Sequence, residues 1–129
     1  MSDQALKESV RAALIGLARC QRTVTYRDLA IMANVPPPHT IHRLTHLLED
    51  LVREDVEAGR PLLAALATSR SRERIPGRGF YCLIAALGLY DGPDDGPQAR
   101  AYHQDEVEMA WAYWGDGPCA DCTCREEEG

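Results

Sequence analysis

Three consecutive prolines, Pro36-Pro37-Pro38, constrain this chain more than any other feature. A proline has no amide hydrogen and clashes with the preceding turn, so it cannot lie inside a helix, although the first turn of a helix tolerates it. Helical patterning stands on both sides, so the prolines divide two helices and set the turn between them. Before them, Thr25 is placed to cap a short helix, with Asp28 three residues on and Leu29, Ala30, Met32 and Ala33 expected to face inward. After them, a long helix is expected from the prolines to about Glu57, with Gly59 as its stop. Its buried stripe reads Ile41, Leu44, Leu47, Leu48, Leu51 and Val52. At roughly 100° per residue, His39, His42, Arg43, His46, Asp50 and Arg53 gather on the opposite face.

The flanks extend this pattern. Leu6, Val10, Ala13, Leu14 and Leu17 predict a helix from about Asp3 to Arg19, with Gln21-Arg22 as the turn. Leu62 to Ala67 reads as a buried strand, although its leucine and alanine content also suits a short helix. Arg70 to Arg78 is an arginine-rich turn ending in Ile75-Pro76-Gly77-Arg78-Gly79, and Phe80 to Leu87 resumes an apolar run that fits strand or helix. Asp91 to Pro97 is a polar loop. A last helix is expected from about Gln98 to Trp114, with Tyr102, Ala110 and Trp114 near one side. Residues 1–114 thus form one domain, and 115–129 an acidic, cysteine-containing tail expected to be flexible. Helix, turn, helix, strand, basic hairpin and strand in that order predict a mainly α (α+β) fold. The expected form is a winged helix-turn-helix with a small β-hairpin and an added C-terminal helix.

The formal net charge is −6, which argues against a nucleic-acid partner until its distribution is considered. Residues 91–129 hold eleven acids and two bases, whereas residues 1–90 hold twelve bases and nine acids. Arg70, Arg72, Arg74 and Arg78 share their short segment with one acid, Glu73. Such a local patch can contact phosphates whatever the overall charge. No apolar run approaches the length of a membrane span, and the N-terminal residues lack the layout of a signal peptide, so a cytoplasmic protein is expected. Five cysteines in that setting predict reduced thiols.

Thr25-Tyr26-Arg27-Asp28-Leu29-Ala30, Pro61-Leu62-Leu63 and Pro76-Gly77-Arg78-Gly79-Phe80 resemble successive elements of the DNA-binding domain of alkylguanine-DNA alkyltransferases and alkyltransferase-like proteins. The resemblance runs from Tyr26 to Tyr81, under half of the chain. It implies a winged-helix scaffold that holds DNA. The position resembling the acceptor cysteine of that family falls at about Leu66, so the resemblance does not extend to alkyl transfer. The helix that carries an intercalating arginine in the family begins here with His39-Thr40.

Two candidate metal patterns remain beside a solvated-surface reading. His39, His42 and His46 stand at i, i+3 and i+7; imidazoles on one face can share a metal, but the outer two are two turns apart. Cys119, Cys122 and Cys124 supply three thiols where structural zinc usually takes four ligands. Neither pattern is complete, so no metal and no cofactor is expected, and no catalytic constellation is present. The expected function is non-enzymatic binding of duplex DNA through His39, His42, Arg43, His46, Arg70, Arg72, Arg74 and Arg78. The alternative is a protein-interaction module on the same scaffold.

Overall fold

The computed structural model describes residues 3–70 and 74–115. Five helices dominate: α1 (Asp3–Arg19), α2 (Tyr26–Met32), α3 (Thr40–Ala58), α4 (Arg78–Ala86) and α5 (Gly96–Trp114). A 3-10 turn spans Leu63–Leu66, and two short strands, β1 (Val24–Thr25) and β2 (Ala67–Thr68), complete the chain. The architecture is mainly helical with one small parallel sheet. None of the described helices is long and apolar enough to cross a membrane.

The helix boundaries follow from local chemistry. Thr25 Oγ1 accepts a hydrogen bond from the Asp28 amide at 3.2 Å, which satisfies one orphan donor at the start of α2. At the other end Asn34 adopts φ 57°, with Asn34 N donating to Ile31 O and Val35 N to Ala30 O. This is a Schellman closure with asparagine in the left-handed position. The expected start of α3 at the prolines is corrected to Thr40: Pro36 to Pro38 stay outside the helix, and His39, at φ 56°, is its left-handed N-cap. Gly59 (φ 72°) closes α3 in the same way as Asn34 closes α2, with Arg60 N donating to Asp55 O.

The core centres on the segment after α3. Every residue from Leu62 to Thr68 is buried, and α1, α3 and α5 all pack on the 3-10 turn. Leu14, Leu44, Leu51, Leu63 and Leu66 are fully enclosed; each contributes roughly 1.5–3 kcal/mol of burial. The expected strand over Leu62–Ala67 is corrected to a 3-10 turn with only Ala67–Thr68 extended. Burial on all sides erases the two-residue alternation that marks a half-exposed strand.

A buried irregular segment needs partners for its backbone, and side chains supply them. Asp55 Oδ2 accepts from Leu63 N at 3.3 Å, and Glu106 Oε2 accepts from Leu62 N at 3.3 Å. His103 Nε2 bonds Ala65 O at 2.8 Å, so this nitrogen carries the proton. Burial lowers the His103 pKa from its ordinary value against the pull of that bond, and burial raises that of Glu106.

The expected β-hairpin is corrected as well. Val24 pairs with Ala67 and Thr25 with Thr68 in parallel, so the sheet joins the entry of α2 to the end of the buried segment. Among the described residues, an antiparallel bridge joins Ser69 to Ile75 at the base of the arginine-rich turn, with Ser69 N donating to Ile75 O at 2.9 Å. The run after it is helical, as α4, and not a second strand of a hairpin.

Candidate nucleic-acid interface

Because α3 buries Leu44, Leu47, Leu48, Leu51 and Val52, its remaining arc faces outward. His39, His42, Arg43 and His46 line one groove there, together with Asp3, Pro38, Leu47 and Asp50. The four site residues expected from helical phase are therefore neighbours in space. His42 and His46 meet edge to face, with ring centroids 4.5 Å apart and Nε2 atoms 3.2 Å apart. These two histidines are four residues apart. Reading them with His39 as a set of three hid this relation, although His42-x-x-x-His46 stands openly in the sequence. Among the described residues no group of three or more His, Cys, Asp or Glu could hold a metal.

Arg70, Arg74 and Arg78 do not line that groove. Arg74 (φ 68°) lines a polar hollow with Arg22, Arg100 and His103, between the α1–β1 turn and α5. Sequence spacing could not gather Arg22, Arg74 and Arg100, which come from three separate segments. Arg78 opens α4, largely exposed, with its Nε 3.8 Å from Asp94 Oδ2. Arg70 is exposed, and Arg72 lies outside the described residues.

What links the turn to the helices is Tyr26. Its hydroxyl accepts a hydrogen bond from Gly77 N at 2.8 Å across 51 positions of sequence. Tyr26, Thr45, Leu48, Glu49, Val52, Gly77, Gly79 and Phe80 enclose an apolar cavity between α2, α3 and α4. A methyl added at Gly77 would stand 3.6 Å from Tyr26 Oη, and one at Gly79 3.7 Å from Glu49 Oε2, both ordinary contact distances, so the approach does not itself require glycine.

Two expected core positions are corrected. Met32 is 49% exposed and Ile41 43% exposed, and Ile31 beside them reaches 66%. Leu29, Ala30 and the C-cap Ala33 take the inward arc of α2 and Met32 falls beside it, while Ile41 sits at the first turn of α3, ahead of its buried stripe. Ile31 and Ile41 line one hollow with Arg27, Asn34 and Thr40. The expectation of reduced thiols is corrected at Cys20, which is disulfide-bonded, whereas Cys82 is free and exposed. The expectations for the tail, including Cys119, Cys122 and Cys124, lie outside the described residues. Leu66, the position resembling the alkyl acceptor, is fully buried.

No protein-family model, no curated protein and no solved structure matches the chain.

Proposed function

We propose that the chain is a non-enzymatic winged-helix DNA-binding or regulatory protein. In this reading α2 and α3 form the helix-turn-helix, and the arginine turn closed by Ser69 and Ile75 serves as a reduced wing. The observation that carries it is the Tyr26–Gly77 hydrogen bond. That bond joins two of the three segments that carry the resemblance to alkyltransferase-like proteins, and in this reading it holds the end of the basic turn against the helix-turn-helix. The N-terminal half of α3 would enter the groove, where His42, Arg43 and His46 donate to bases or phosphates. Arg74 and Arg78 would contact the backbone. Glu49 and Asp50 limit how deeply α3 can insert. A buried Leu66 offers no nucleophile, so binding without alkyl transfer is the activity this reading assigns.

The test is fluorescence anisotropy with a labelled duplex at about 50 mM salt, followed by a salt titration. Binding is expected to weaken as salt rises. The logarithmic slope should drop by about one unit for each phosphate contact removed in Arg74→Ala and Arg78→Ala. Absence of binding by the parent chain at that salt would remove the proposal.

A second reading, a protein-interaction module, draws on the exposed Ile31, Met32 and Ile41 at the α2–α3 corner and on the net acidic charge. A duplex that fails to bind, with a partner whose capture is lost in Ile31→Ser, would favour it.

A further inference from the structure

We propose that His42 and His46 form a bidentate site for a divalent transition-metal ion on the exposed face of α3. Residues four apart on a helix project to the same side, and this spacing lets two imidazoles reach one ion. The Nε2 atoms already stand 3.2 Å apart. With metal–nitrogen bonds of 2.0–2.1 Å, two ligands at that separation subtend roughly 100–105° at the metal, close to the tetrahedral angle. A bound ion would replace the nitrogen–nitrogen contact at the same separation, with the rings turning so that both Nε2 lone pairs face it.

The surroundings suit an open site. Asp3 and Asp50 line the same groove and lower the cost of bringing in a cation, while Arg43 opposes it. His39, three residues before His42, lines the groove as well. With only two protein ligands, the other positions go to water or to a donor on a second molecule, so the ion remains exchangeable. Imidazole nitrogen selects nickel, copper or zinc over calcium or magnesium. Arg43 follows His42 where a helical metal-hydrolase motif carries glutamate, so this site has no adjacent general base. The site stands independently of DNA binding, since it rests on the geometry of the two rings.

The experiment is calorimetric titration of the full chain with Ni²⁺ alone. One saturable site is expected in the parent chain. His42→Ala and His46→Ala should each weaken it by roughly a hundredfold, because loss of one imidazole removes the chelate and leaves a single ligand. The variant Cys119→Ser/Cys122→Ser/Cys124→Ser should keep the site. A second readout uses the unaltered chain: at substoichiometric Ni²⁺ the ring proton signals of His42 and His46 should broaden before those of buried His103. The proposal is overturned by absence of saturable binding, by binding unchanged in both histidine variants, by loss in only one of them, or by broadening that begins elsewhere.

Discussion

From Leu51 to its end, α3 turns Glu54 and Asp55 toward α1 while Arg53 and Glu57 stay exposed, whereas from Thr40 to Asp50 the same helix offers a row of ionisable side chains to solvent. In the held half, Asp55 is fully buried and receives Arg11 and Arg60, each at 3.0 Å, as well as the Leu63 amide. Both guanidinium groups also lie over the Trp114 ring, at 5.3 Å and 5.2 Å from its centroid. Trp114 in turn donates its indole N–H to Pro61 O at 3.0 Å. Lys7 and Arg11 pair with Glu54, which holds that carboxyl below the usual carboxylate range. In the open half, His42 and His46 contact each other, and Thr45 turns its hydroxyl back to His42 O. The difference teaches that charge on one helix divides by role. Where α1, α5 and the 3-10 turn converge, charges satisfy a buried backbone; on the outer face of the N-terminal half, they line an open groove.

The sharpest way to break this division is Asp55→Ala. It removes the carboxylate that Arg11 and Arg60 share, although Arg11 keeps Glu54, and it leaves the Leu63 amide unsatisfied; breaking a buried pair in this way costs about 3–5 kcal/mol. Arg11 and Arg60 retain some solvent, at 19% and 31% side-chain exposure, which places the loss near 3 kcal/mol. A urea midpoint that barely moves would contradict a locked end. Trp114→Ala is expected to cost less, about 2 kcal/mol, because the ring is only partly buried. It should also loosen the C-terminal turn of α5, read by amide exchange.

A pH profile probes the same end more gently. His103 is protonated less readily in the fold than its ordinary value of 6.5 allows, through burial. The unfolded chain therefore takes up the proton first. Stability should fall as the pH drops below about 6.5 and level off once the folded group titrates too. Glu106, whose pKa is raised by burial, acts with the opposite sign: its contribution is lost as the pH rises from 4.5 through the folded value. Comparing the parent with His103→Gln isolates the first effect; equal slopes between pH 5.5 and 6.5 would contradict it.

Much of this arrangement is legible in the chain. The span of α1, the Thr25 cap, the leucine stripe of α3 and the inward side of α5 follow from spacing and caps alone. The held half of α3 is not legible. Arg-Glu-Asp-Val-Glu, residues 53–57, reads as a solvated face, and nothing local reveals that Arg11, 44 positions earlier, reaches Asp55. The Leu62–Ala67 run carries no periodicity to read, because it is enclosed on all sides. The candidate site divides similarly: the His39–His46 groove comes from one helix and is visible from phase, while the company Arg74 keeps depends on turns that sequence spacing does not fix.

The smallest expected stability change and the largest functional one belong to the open half. The triple variant His42→Ala/Arg43→Ala/His46→Ala should unfold within about 0.5 kcal/mol of the parent, because its side chains lie outside the core. The decisive measurement is the duplex affinity of this variant at about 50 mM salt beside its thermal midpoint. The account predicts an unchanged midpoint and a loss of affinity. Retained affinity with the same midpoint would contradict the claim that the open face of α3 is where this protein meets DNA.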